Sequence, residues 1–251
     1  MKIRQYTLIM IALVGGTMLL AGCGNLQSTP ALMQKSVVER TVAAQGLAKV
    51  QSAIDSLSSI QNYQVKAQIQ ETTGKNDRSM NFYGTIILPT SAVPVQIQMD
   101  ETIGGNNYPL YQNGSFAYYE DGNRWKPMNP VTDLRPWQSL ADVIAKKPPK
   151  VVYQLPDQTA VSWLCHVYQF KTVDLGSFIG GTRLIKPQES LYTVWVDATD
   201  GLLRQIEVQS TVGIPDKGTE AMTSTELFFN YNSPNAIIGV PSGLVAQIEK
   251  P

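Results

Sequence analysis

Few groups of residues in this 251-residue chain could do chemistry. The densest is the stretch YTVWVDATDGLLRQIEV, residues 192–208, which sets Trp195, Asp197 and Asp200 within six positions. A tryptophan beside two carboxylates suits a sugar platform with an acid/base pair, or half of a metal site. Acid and base carboxylates of glycosidases stand about 5–9 Å apart across a bound sugar. Two aspartates at one turn have no visible cleft between them. Asp200-Gly201 is the dipeptide that a tight hairpin loop needs, since glycine tolerates positive φ. Asp197 can cap the same turn through its side chain. Both carboxylates are therefore expected to shape a turn. Trp195 stays open, because Thr193 and Asp197 suggest the solvent side while its bulk suggests burial.

His166 is the only histidine, and it lies within the strand-like run WLCHVY of residues 163–168. No G-x-S-x-G accompanies it and no ligand spacing surrounds it, so neither a serine triad nor a metal centre is expected. Cys165 beside it would form a Cys–His pair only on paper, since strand neighbours point to opposite faces. The chain is expected not to be an enzyme and to need no cofactor.

The elements that must position these residues follow from hydrophobic period. Residues 35–57 carry an apolar stripe through Val38, Val42, Leu47, Val50, Ile54 and Leu57, which predicts a helix. Ser36 and Glu39 suit a capping box, and Gly46 is a place to bend or divide it. Residues 63–70 alternate, with Tyr63, Val65, Ala67 and Ile69 on one face. Residues 80–88 do the same through Met80, Phe82, Gly84, Ile86 and Leu88. So do residues 93–103, where Val93, Val95, Ile97 and Met99 point in and Pro94, Gln96, Gln98 and Asp100 point out. Period two with one polar face predicts an antiparallel sheet wet on one side.

After a loop at Gly104-Gly105, the run FAYYEDGNRWKPM predicts a hairpin at Asp121-Gly122. A short helix is expected over residues 138–147, facing in through Leu140, Val143 and Ile144 and stopped by Pro148-Pro149. Strands resume over 150–154 and 161–173. Residues 175–190 read as a glycine-interrupted insert, placed where a lid could sit. Three strands follow over 191–197, 202–212 and 223–231, and a tail from 235 ends in a short apolar segment. The expected fold class is α+β: a strongly curved antiparallel sheet, a half-barrel of about ten strands, with helices on the concave face.

The N-terminus sets the expected address. Lys2 and Arg4 precede an apolar run over 7–20, which ends in small residues at Leu20-Ala21-Gly22-Cys23. Residues 1–22 read as a signal peptide. The letters LAGC match the bacterial lipobox, and this resemblance to lipoprotein signals implies that Cys23 is acylated, palmitate-type chains anchoring it in the membrane at about 0.8 kcal/mol per buried CH₂. Residues 23–35 would then be the lipidated cysteine and a polar tether, and 36–251 one domain. With Cys23 lipidated, Cys165 has no partner for an intrachain disulfide, so the core must hold the domain together. Loss of Lys2 and Arg4 leaves 18 basic residues against 20 acidic ones. No basic patch stands out, which argues against a nucleic-acid partner.

The aromatic residues Phe82, Phe116, Tyr118, Trp125, Trp163, Trp195, Phe228 and Phe229 fall on different strands. They fit a plain core or the lining of a cavity, and the pattern does not choose between them. Taken with the lipobox, tether and helices, the hairpins YYEDGNRW and VWVDATDGLLRQIEV make the chain resemble the LolA/LppX-type superfamily of lipoprotein carriers. More narrowly, it resembles the lipoprotein subset common in Gram-positive bacteria. The resemblance implies a half-barrel with a hydrophobic cavity for acyl chains or another lipid. The wall would be Val65, Ile69, Phe82, Ile86, Val95, Ile97, Met99 and Trp125, with Leu140 and Ile144 from the short helix as a plug. A membrane-anchored, extracytoplasmic binder of a hydrophobic ligand is the first expectation. The second is a protein-interaction module of the cell envelope on the same fold, with no lipid bound.

Overall fold

In a computed structural model of the chain, the described residues are 40–73, 76–132, 134–173, 189–214 and 218–248. Among them the chain runs β1 (Thr41–Val42), α1 (Gly46–Ser56), β2 (Asn62–Thr73), β3 (Asn76–Ile87), β4 (Gln96–Ile103), β5 (Asn106–Asn113), β6 (Phe116–Asp121) and β7 (Arg124–Pro127). It continues with α2 (Pro136–Lys146), β8 (Val152–Ala160), β9 (Trp163–Val173), β10 (Glu189–Asp197), β11 (Leu203–Ile214), β12 (Gly218–Phe229) and α3 (Ser242–Ile248). The strands form one sheet in the order β1-β8-β9-β10-β11-β12-β2-β3-β4-β5-β6-β7. Every pairing is antiparallel, and the curved sheet does not close. Two meanders, β2–β7 and β8–β12, are thus stitched together by the ladder between β12 and β2.

The expected half-barrel is present, with twelve strands among the described residues instead of about ten. The first expected helix is corrected. Residues 35–39, with the proposed capping box, lie outside the described residues. Thr41 and Val42 pair with β8, as suits β-branched side chains, and Val42 is exposed. The helix begins only at Gly46, where a Cβ would come within 2.7 Å of a Val152 methyl. Gly46 is therefore the contact that seats α1 on β8, not a bend. Strand β5 was not expected. It pairs with β4 through a two-residue loop in which Gly104 and Gly105 both have positive φ, +56° and +85°, as a type I′ turn requires. At the expected hairpin between β6 and β7, Gly122 and Asn123 fill that role.

Inward positions follow the predicted parity. Tyr63, Val65, Ile69, Phe82, Ile86, Leu88, Ile97 and Met99 are buried in one core. Val50, Ala53, Ile54 and Leu57 from α1, and Trp137, Leu140, Val143 and Ile144 from α2, pack against them. Trp137 meets Tyr63 and Phe228 edge to face at 5.0 and 5.7 Å between ring centroids. The Tyr63 hydroxyl donates to the Leu134 carbonyl at 2.8 Å. Those contacts tie α2 to the β12–β2 seam.

Gly84 marks a close approach of β3 to β4. It occupies an inward position on β3, yet a Cβ there would lie 2.4 Å from the Gln98 carbonyl oxygen and 2.7 Å from the Met99 Cα. Both obstacles are backbone, so β4 itself must move to admit a side chain. Gly84→Ala is expected to cost about 1–3 kcal/mol as an overpacking defect. Urea unfolding checks this; an unchanged midpoint would show that the β3–β4 contact tolerates a methyl group.

The outer face carries its own packing. Tyr111, Trp125 and Leu244 form a small cluster that seats α3 against the sheet edge. Gln247 of α3 donates from its amide to the Trp125 carbonyl at 2.7 Å and accepts from the Trp125 N–H at 2.9 Å. One side chain thereby takes the place of a neighbouring strand along part of β7, which covers an edge open to further pairing.

Candidate functional site

The hairpin between β10 and β11 is built around an arginine. Asp197 Oδ1 accepts from the Thr199 N–H at 2.8 Å, and Asp200 Oδ1 accepts from the Leu202 N–H at 2.9 Å. Gly201 takes φ +71°. These are the expected turn contacts. The remaining carboxylate oxygens receive Arg204, which donates to Asp197 Oδ2 from Nε at 3.0 Å and Nη2 at 2.8 Å, and to Asp200 Oδ2 at 2.5 Å. Arg204 and Asp197 are only 6% and 4% exposed, so this ion pair is inside the protein. The guanidinium lies 4.4 Å over the Trp163 ring and 5.6 Å from that of Tyr231, whose hydroxyl donates to the Leu203 carbonyl. Burial alone would raise the Asp197 carboxyl, but the Thr199 N–H and Arg204 together hold it below the usual carboxylate range. All four carboxylate oxygens are occupied by donors of the same hairpin. The site is structural.

Trp195, left open by the sequence, is buried on the outer face among Leu155, Ala160, Cys165 and Val167. Its indole N–H donates to Gln158 at 3.1 Å. Cys165 is fully buried there, and burial raises its thiol to about 11, well away from the thiolate chemistry of a nucleophile. His166 points away from it and pairs with Asp157 at 2.9 Å near the surface. Among the described residues, no three His, Cys, Asp or Glu side chains group as metal ligands would.

Of the ten residues expected to line a ligand cavity, Val65, Ile69, Phe82, Ile86, Ile97, Met99, Leu140 and Ile144 meet in the main core, and Val95 packs against its rim. Trp125 does not join them. It sits on the outer face under α3, because its partner across the ladder is Glu120 and its neighbours Tyr111 and Tyr118 share that outward parity. A cavity beneath α2, lined by Leu140, Tyr192, Ile206, Val208, Ser224 and Glu226 among others, measures about 10 Å³. That is about the room of one water, far below a ligand pocket of roughly 300 Å³ or more. A larger recess of about 150 Å³ opens at the strand ends beside Asn62, Gln64, Thr85 and Asn230, and is lined mainly by polar groups.

One inward residue breaks the apolar pattern and was not singled out from the sequence. Glu101 continues the alternation Ile97, Met99, Glu101 along β4 and is 1% exposed. Phe82 on β3 and Tyr108 on β5 stand directly across from it. Neither carboxyl oxygen has a hydrogen-bond partner, and burial pushes the group up to about 7. It lies in a cross-strand row that runs Ile206, Glu226, Ala67, Phe82, Glu101, Tyr108 along the inner face. Ser224, Ser210 and Ser190 follow on the side away from the aromatic contacts of α2, and the last two share a 2.6 Å hydrogen bond. The inner face is thus apolar under Trp137 and becomes polar further along its strands.

No family model matches the chain, and no curated protein matches it in sequence. Solved structures do match. Lipoprotein LppX of Mycobacterium tuberculosis superposes with a TM-score of 0.50 at 8% identity, covering 78% of this chain and 98% of that one. LprF of Mycobacterium bovis gives the same score and identity, covering 81% and 99%. The chain has the LolA/LppX-like fold that its element order resembled.

Proposed function

We propose that the chain is a membrane-anchored, extracytoplasmic lipoprotein, acylated at Cys23, that takes up a hydrophobic ligand on the inner face of its half-barrel. The observation that supports this most is the fold: an open, curved sheet with an apolar inner face and helices laid on it, similar over nearly the whole length of LppX and LprF. In this reading α1 and α2 part from the sheet to admit a tail, and the six clustered wall residues, with Val95 at their rim, are the surface that it meets. Among the described residues no helix is long and apolar enough to cross a membrane, and in this reading the acyl chains on Cys23 supply the attachment.

Native mass spectrometry of the full chain, released gently from membranes, is expected to show about one non-covalent lipid per chain. A lipid-free mass across all preparations would sink this reading. The small cavity under α2 supports a second reading, an envelope interaction module with a filled interior. A single stoichiometric protein partner on the lipid-free chain would favour it.

A further inference from the structure

Glu101 is costly where it stands. A buried carboxyl with both oxygens unpartnered forfeits hydration without compensation, and native proteins rarely leave such groups unsatisfied. Nothing in the fold uses it: it caps no turn, pairs with no cation and bridges no strands among the described residues. A leucine would fill its place between Phe82 and Tyr108 with less penalty. The other inner-face polar groups differ in this respect, since Ser190 and Ser210 satisfy each other, and Gln112 holds the backbone of Val131 from both ends of its amide. Glu101 is also placed at a boundary. Met99 and Ile103 flank it along β4, and Met80 pairs with Ile103 on the adjacent strand. Methionine adapts to irregular apolar shapes. An acceptor beside adaptable apolar groups matches the junction between the head and tail of an amphiphile.

We propose that Glu101 is the polar contact for the head of an amphiphile whose head group donates hydrogen bonds, either a hydroxyl or an ammonium. The inference rests on the inner face being a ligand surface. It adds the chemistry of the head: once Glu101 is ionised, a carboxylate-headed or donor-free amphiphile gains nothing from it, whereas a donor repays the desolvation that the fold already bears.

Three probes with one tail separate the alternatives: decanol, decylamine and methyl decanoate, which has no donor. At about pH 9, where Glu101 is ionised and decylamine is still an ammonium, full-chain protein in phosphatidylcholine nanodiscs is dialysed to equilibrium against empty nanodiscs with each radiolabelled probe. Decanol or decylamine is expected to bind the wild type at least tenfold more tightly than methyl decanoate. Glu101→Leu should remove that preference while leaving methyl decanoate unchanged. Glu101→Gln, which keeps an acceptor but no charge, should retain decanol binding and lose any advantage of decylamine, so the variant identifies the head. Equal binding of all three probes to wild type and Glu101→Leu would overturn the head-group contact and leave the ligand surface standing. Failure of every probe, methyl decanoate included, to bind the wild type would overturn both.

Discussion

Arg204→Ala is expected to destabilise the protein by about 3–5 kcal/mol, the largest loss among the single substitutions considered. The cost comes mainly from what is left behind. Asp197 is 4% exposed, and without the guanidinium its buried charge is left to the backbone N–H groups of its own turn, Thr199 and Asp200. Trp163 and Tyr231 lose the cation between their rings at the same time. Arg204→Lys should recover little, because one ammonium cannot reproduce the fork that reaches both aspartates. The double replacement Asp197→Leu with Arg204→Met removes both charges and should be much milder than Arg204→Ala alone. Urea denaturation of the four proteins reads this directly. If Arg204→Ala cost no more than the double variant, the pair would not be acting as a buried ion pair.

The second large effect concerns pH. The Glu101 carboxyl stands at about 7 in the folded protein against 4.5 when unhindered. Between those values the folded state holds a proton that the unfolded chain has released. The stabilising contribution of the neutral acid is complete below pH 4.5 and is lost as pH rises through 7. The span corresponds to about 3 kcal/mol. The groups that face Glu101 across the ladders are the Phe82 ring on β3 and the Tyr108 phenol on β5, and the nearest acid in its row, Glu226, is three strands away, about 14 Å at ordinary strand spacing. The Glu101→Gln variant should match the wild type near pH 4 and exceed its stability by up to about 3 kcal/mol at pH 8. Taking the difference between the two proteins cancels the contributions of every titratable group that they share. A difference that stays constant from pH 4 to 8 would show that Glu101 titrates alike in the folded and unfolded protein.

How far the sequence reaches can be judged from single strands. The alternation of β2 and β3 names the inner face residue by residue, because one face is apolar and the other polar. Strand β5 escapes the same reading because NNYPLYQN carries a proline and two adjacent apolar residues, Leu110 and Tyr111, that serve opposite faces. Around β6 and β7 both faces hold aromatics, so parity could not tell that Trp125 belongs with Tyr111 under α3. Strand β1 has only two residues and exists through its partner β8. Glu101 was legible in principle: the series Ile97, Met99 carried two residues further lands on a carboxylate at an inward position. Arg204 was not, since its burial depends on Trp163 of β9 and on Tyr231 in the segment after β12, which only the fold brings together.

The seam between β12 and β2 sets an order of events for the folding chain. Each meander can grow one hairpin at a time from neighbours in sequence, which is fast. The seam instead joins residues at least 147 positions apart, Glu220 and Thr73 being the pair nearest in sequence. Relative to a hairpin loop of two residues, closing it costs on the order of 3–4 kcal/mol of additional chain entropy. Until the last strand arrives, β2 presents an unpaired edge, open to any other extended segment. The half-barrel therefore has its kinetic bottleneck where its halves meet, at the ladder capped by Trp137, Tyr63 and Phe228. The last-made third of the chain decides when the first third becomes safe from mispairing.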